Sequence, residues 1–285
     1  MQQDKVQASY SYCLNIVKNH YENFPVASWL LPAKIRKPIS AIYAFARTAD
    51  DIADEGTASN DERLKQLDEM AQKLDMIRYG KAIDDPVFIA LADTIENFDL
   101  PVSLLHDLLT AFRMDVTVHR YQSFEALLDY CKYSANPIGQ LLLHLFNSVS
   151  VQNIAYSDAV CSALQIINFL QDIEQDYVEQ GRIYLPLNEL EKFSLDETTI
   201  RDKILSQELR LLIDSLLVKV QQMLDFGKPL GQVLPGRVGF EIKLTVVSAN
   251  RIIQKLSSHR TDVFTRPRLK WQDALWIFNH TLFNY

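Results

Sequence analysis

The sequence predicts an all-α protein, with residues 1–285 forming one helical domain. Three observations predict it. Apolar residues recur at intervals of three and four, as in Ile39, Ile42, Tyr43, Ala46 and again in Leu104, Leu105, Leu108, Leu109, Phe112, which is the period of a helix with one buried face. Alternation of period two is nearly absent, and the short apolar stretches 116–118 and 244–247, strand-like in composition, have no hairpin turn beside them. No segment rich in Ser, Gly or Pro separates two halves of the chain, and the 48% of hydrophobic residues supplies a sizeable core.

Breakers divide the helices near residues 32–38, 56–60, 80–86, 99–101, 136–139, 180–186 and 227–239. Near the C-terminus, Trp271, Ala274, Leu275, Phe278 and Leu282 fall at helical spacing. Such a stripe is expected to pack on the protein's own core, the alternative being a face laid on a membrane surface. No run of 18 apolar residues occurs, and the opening Met1-Gln-Gln-Asp-Lys lacks the apolar region of a signal peptide. Cys13, Cys131 and Cys161 are odd in number and widely spaced, which argues against a disulfide framework or a zinc site. A cytoplasmic protein is expected, with a peripheral position at the inner face of the membrane left open. The net charge of −7 argues against nucleic acid as a partner.

The first chemical constellation closes the helix that carries Ile39 and Ile42. In Arg47-Thr-Ala-Asp50-Asp51-Ile-Ala-Asp54-Glu55, four acids occupy six positions. Asp50 and Asp54 lie about 40° apart around a helix axis, so both project from one face, continued by Arg47 and Tyr43. Like charges at this spacing destabilise a helix by about 0.3 kcal/mol, and acids at a helix C-terminus oppose its dipole. A bound cation would offset both. Mg²⁺ suits the oxygen ligands, although a solvated acidic helix end explains the run equally well on its own.

The second constellation is Gln165-Ile-Ile-Asn168-Phe-Leu-Gln-Asp172-Ile-Glu-Gln-Asp176. Positions 165, 168, 172 and 176 fall within about 80° of one helix face, amid apolar Leu164, Ile166, Ile167, Phe169 and Leu170. A polar stripe on an apolar helix must face water or a filled cavity, because uncompensated burial of charge is prohibitive. Two aspartate pairs of equal spacing suggest two helices facing each other across a cavity. Gly181-Arg182-Ile-Tyr184-Leu-Pro186 ends the second helix, placing Arg182 to clamp a phosphate with its two-pronged guanidinium, or simply to balance the helix dipole.

Together these residues resemble the squalene and phytoene synthases, the head-to-head prenyl synthases. The likeness rests on Asp50-Asp51-Ile-Ala-Asp54-Glu55, on Asn168-Phe-Leu-Gln-Asp172-Ile-Glu-Gln-Asp176 and on Gly181-Arg182-Ile-Tyr184-Leu-Pro186, and it runs from Tyr10 to about Leu256. Glu22-Asn-Phe24-Pro-Val-Ala-Ser-Trp-Leu-Leu-Pro32, the stretch from Arg47 to Gly56, and Leu234-Pro-Gly-Arg237 through Arg251 are most similar to the hydroxysqualene synthase branch of bacterial hopanoid pathways. The resemblance implies an isoprenoid-synthase-type helical bundle around a central cavity. It implies that Asp50, Asp54, Asn168, Asp172 and Asp176 bind Mg²⁺, roughly two or three ions arriving with the diphosphate. His20, Arg47, Gln165 and Arg182 would contact diphosphate, and Tyr133 would lie near the reacting carbons as a catalytic residue beside the four aspartates. Arg113 and Asp115 are read as structural ion-pair candidates.

The implied substrate is a prenyl diphosphate, for which Ile138–Phe146 with Phe24, Phe45 and Tyr133 are candidate tunnel residues, although any single Leu or Phe among them is expected to be plain core first. In the hydroxysqualene branch, presqualene diphosphate ionises and one water adds, so no NADPH is expected. Condensation of two farnesyl or two geranylgeranyl diphosphates is the alternative within the family. A non-catalytic assembly factor is the alternative outside it, disfavoured because both acid clusters are complete. Loose membrane association and pathway partner enzymes are further implied partners.

Overall fold

A computed structural model describes residues 2–19, 32–258, 262–283 and 285. His20 and Phe24, and most of the Glu22–Pro32 motif, lie outside the described residues. Among those described, the chain forms α1 (Gln2–Asn19), α2 (Ala33–Asp54), α3 (Asn60–Arg78), α4 (Pro86–Phe98), α5 (Val102–Thr117), α6 (Phe124–Ser134), α7 (Asn136–Leu145), α8 (Val151–Gln171), α9 (Ile173–Gln180), α10 (Leu187–Lys192), α11 (Glu197–Arg201), α12 (Gln207–Gly227), α13 (Leu230–Val233), α14 (Gly236–Leu256) and α15 (Trp271–Phe283). The only extended pairing in this set is an isolated bridge between Arg120 and Ile183, so the all-α expectation holds. Residues 116–118 and 244–247 fall at the end of α5 and within α14 rather than in strands. The breakers near 32–38 give way differently from the expectation, because α2 begins at Ala33 and runs through Pro38. The missing N–H of Pro38 removes one bond near the start of a long helix whose buried face compensates.

Tertiary contacts divide the chain into two units. The first comprises residues 1–117 and 137–150. Its core is built from α2, α3, α4 and α5, with Phe45 set edge-on to Phe88 at 5.8 Å and Leu67, Leu74, Leu91, Leu105 and Leu109 fully buried around them. Local sequence fixes the helix ends. Ser59 and Glu62 form a reciprocal capping box at α3, and Asp85 caps α4 just ahead of Pro86 in its first turn. Phe45 is thus part of the core, as a single Phe of this stretch is expected to be. Leu141 and Leu145 join the same core, while Ile138, Leu142 and Phe146 pack against it half-buried.

The second unit comprises residues 118–136 and 151–285. Here α12 buries Leu209, Leu212, Leu216, Val220 and Leu224. It ends at Gly227, where a Cβ would stand 2.6 Å from the Val160 side chain and 2.7 Å from the Tyr156 carbonyl. Only glycine lets α12 approach α8 so closely. Tyr121, Tyr130, Phe169 and Tyr184 form an aromatic cluster, with Phe169 and Tyr184 stacked at 3.6 Å and 8° between planes.

The last helix reverses a sequence expectation. On α15 the inward face holds Asp273, Ile277 and Thr281, whereas Trp271, Leu275, Phe278 and Leu282 are 77%, 67%, 50% and 50% exposed. Asp273 tolerates burial because Arg251 Nε and Lys255 Nζ each approach its carboxylate at 2.7 Å, and the Lys270 N–H donates to it at 2.7 Å. No described helix is long and apolar enough to cross a membrane.

Candidate active site

The first acid cluster grows out of α2. Its buried side is made of Ala41, Ile42, Ala44, Phe45, Ala49 and Ala53, and the opposite stripe of Tyr43, Arg47, Asp50 and Asp54 is half-buried. The spacing rule therefore places Asp50 and Asp54 on one face, as expected. Arg47 lies among the acids. Its Nη1 is 3.0 Å from Asp50 Oδ2, and its Nη2 is 2.6 Å from Asp51 Oδ1 and 2.5 Å from Glu55 Oε1. One guanidinium thus balances three carboxylates at the end of the helix where the dipole least favours them. Behind the cluster stands Arg63 of α3. It donates to the carbonyls of Ile52, Gly56 and Ala58 at 2.6, 3.1 and 3.1 Å, and so fixes the loop that leaves Asp54.

The second cluster lies on α8 and α9. Gln165, Asn168, Asp172 and Asp176 are each half-buried, while Ile166, Ile167, Phe169, Leu170 and Ile173 between them are buried. The predicted polar stripe is present, but not on one unbroken helix: Asp172 sits between α8 and α9 with φ −110° and ψ 18°. Backbone bonding continues across the break, with the Asp172 N–H donating to the Asn168 carbonyl at 2.9 Å and the Asp176 N–H to the Asp172 carbonyl at 2.8 Å. The stripe therefore keeps its register. Gly181 ends α9 in the left-handed conformation, at φ 64°, turning the chain toward Arg182.

Burial dominates the electrostatics of this cluster. Burial raises the Asp172 carboxyl, against the pull of Arg266 and Arg268. Burial, and after it the neighbouring Asp172 carboxylate, pushes Asp176 up to about 7, against Arg182 and Arg266. Arg266 Nε lies 2.8 Å from Asp172 Oδ1. Its segment is tied down by Gln171, whose Nε2 donates to the Pro267 carbonyl at 2.6 Å. Arg63 and Arg266 were missed in the sequence. Neither belongs to a motif, and Arg266 reaches Asp172 from far along the chain.

The remaining candidates are placed as follows. Arg182 is buried, at 6% exposure, and its Nη1 donates to Gln180 Oε1 at 2.7 Å. Tyr184 is buried in the aromatic cluster, stacked on Phe169, and Tyr133 on α6 is exposed. Arg113 pairs with Asp68 at 2.8 Å, a structural ion pair as expected for it, and Asp115 is buried.

Among the described residues, no three carboxylate, imidazole or thiolate groups converge to hold a metal ion unaided. The donor sets still fit Mg²⁺, which is commonly held by one or two carboxylates and completed by phosphate and water oxygens. Two half-buried aspartates with raised proton affinity are the groups a divalent cation relieves, and the guanidiniums at both clusters already occupy cation positions.

A model of the squalene/phytoene synthase family matches residues 17–274. A hydroxysqualene synthase of Rhodopseudomonas palustris is 36% identical over 250 residues, which cover 87% of this chain and 84% of that protein. One of Zymomonas mobilis is 36% identical over 248 residues, covering 86% and 79%. The solved structure of squalene synthase HpnC from Alicyclobacillus acidocaldarius matches with a TM-score of 0.83 at 33% identity, over 88% of this chain and 94% of its own. With acid stripes at both expected positions and a helical fold throughout the described residues, this chain belongs to the squalene/phytoene synthase family and is an enzyme of that prenyl-transferring type.

Proposed function

We propose that the protein, acting as one catalytic domain over residues 1–285, converts presqualene diphosphate and water to hydroxysqualene and diphosphate. The observation that carries this reading is the 36% identity to two hydroxysqualene synthases over more than four fifths of the chain, in a sequence that keeps both acid stripes complete. Asp50 and Asp54 on α2, and Asn168, Asp172 and Asp176 on α8 and α9, are the ligands assigned to Mg²⁺. When bound, Mg²⁺ supplies Lewis-acid neutralisation of the leaving diphosphate.

The rest of the work falls to the chain's own groups. Arg47, Gln165, Arg182 and His20 are assigned to the diphosphate, Arg47 and Arg182 as planar donors suited to phosphate oxygens. The carbon–oxygen bond breaks with both electrons going to diphosphate, leaving a cyclopropylcarbinyl cation that rearranges. A water oxygen then bonds to carbon and its proton is lost. Half-buried Ile138, Leu142 and Phe146 are assigned to the prenyl chain, and Tyr133 to the neighbourhood of the reacting carbons. No hydride enters this balance, so the reaction needs no NADPH.

Condensation of two farnesyl diphosphates is the second reading, favoured by the likeness to a solved structure named as a squalene synthase. One experiment separates the two. Purified protein with Mg²⁺ and without NADPH is given presqualene diphosphate or farnesyl diphosphate, and products are identified by mass spectrometry. Hydroxysqualene from presqualene diphosphate is the expected result. Presqualene diphosphate accumulating from farnesyl diphosphate, with none turned over, would replace this reading by the second.

A further inference from the structure

We infer that the outward face of α15 is a docking surface for an anionic lipid bilayer. Trp271, Leu275, Phe278, Leu282 and Phe283 are all at least half exposed, Trp271 and Phe283 by more than three quarters. They follow the helix repeat and form one continuous stripe, extended inward by Phe278 meeting Phe240 edge-on at 6.5 Å. A stripe of large apolar side chains left in water is the signature of an interaction surface rather than of scattered exposure.

Charge identifies the occupant. The one carboxylate of α15, Asp273, is turned inward and held by Arg251 and Lys255. The outward face therefore carries no acid, while Arg268 and Lys270 stand exposed at its leading end. At physiological salt, charges act over about 8 Å, so the charges at this face, and not the net −7 summed over the whole chain, decide what it attracts. A tryptophan beside basic residues, followed by Leu and Phe on one side of a surface helix, is the composition of a helix lying in the membrane interface. Against a second copy docked through this same face, Arg268 and Lys270 would find no carboxylate on the outward face of α15 to pair with.

The test uses the full chain and sucrose-loaded vesicles of phosphatidylethanolamine and phosphatidylglycerol, read by co-sedimentation. The parent protein is expected to sediment with the vesicles. A Leu275→Glu, Phe278→Glu double variant is expected to partition at least about 10-fold less, with an unchanged Tm and unchanged turnover of detergent-dispersed substrate. Arg268→Gln with Lys270→Gln is expected to weaken binding to these vesicles but not to purely zwitterionic ones. A parent protein that stays in the supernatant, or a double variant that sediments like the parent, overturns the inference. So does a dimer in sedimentation velocity that the double variant splits, which would assign the face to a second copy. Vesicle binding is read without turnover, so its failure and that of the proposed reaction are told apart.

Discussion

Arg63 is the side chain on which the loop behind Asp54 depends. Removing it leaves the carbonyls of Ile52, Gly56 and Ala58 without their shared donor. Arg63→Ala is expected to lower stability by about 1–2 kcal/mol in urea titration, since partial solvent access softens the loss. Arg63→Lys is expected to recover only part of this, because an ammonium cannot fork across three carbonyls. A parental stability for Arg63→Ala would show that other contacts hold the loop. The acids themselves are predicted to matter to chemistry more than to folding. Asp50→Asn or Asp172→Asn is expected to reduce Mg²⁺-dependent turnover by at least about 100-fold, the scale of several kcal/mol of charge stabilisation. Stability is expected to change little, since Arg47 keeps Asp51 and Glu55 when Asp50 is neutralised. Activity retained in both variants would remove the site assignment.

The helices differ in how legible they were. On α2, and across α8 and α9, the acid stripes alternate with apolar residues at helical spacing, and the half-buried positions fall where that spacing puts them. On α15 the same rule found the apolar stripe but pointed it the wrong way. Periodicity defines a face without saying which side is in, and here a carboxylate took the inward position because two cations and a backbone N–H wait for it. Burial alone would raise Asp273, but bonds from Lys255, the Lys270 N–H and Arg251 outweigh it and hold the carboxyl well below the usual range. With a folded pKa below the unfolded value near 4, its contribution is present above that value and lost as pH falls through the folded pKa. Urea titrations from pH 7 downward should therefore show an acid limb that Asp273→Asn flattens. At pH 7 that variant should be about 2–3 kcal/mol less stable, short of the full buried-pair figure because Arg251 and Lys255 reach solvent. Equal acid limbs in the two proteins would sink this account.

At the scale of the whole molecule, each acid cluster has an arginine from its own unit against it, Arg47 in the first and Arg266 in the second. The chain is thus expected to fold cooperatively in EDTA. Mg²⁺ with inorganic diphosphate should then add stability by mass action, about 2.7 kcal/mol at a hundredfold excess over Kd, seen as a rise in Tm. No rise, with either component or both, would speak against the assignment of these aspartates to Mg²⁺ and diphosphate. Fold class and both acid stripes were readable because they depend on neighbours three and four residues away. Arg63 and Arg266 were not, because their partners are set by how the chain returns on itself.

The Phe169–Tyr184 stack also gives the second cluster a spectroscopic identity. Rings held face to face at 3.6 Å, with Tyr121 and Tyr130 close by, form a chiral array whose near-ultraviolet dichroism belongs to phenylalanine and tyrosine bands. The described tryptophans, Trp271 and Trp276, are both on α15 and absorb further to the red. A ligand that disturbs this array is therefore expected to change the phenylalanine and tyrosine bands more than the red edge to which Trp271 and Trp276 contribute.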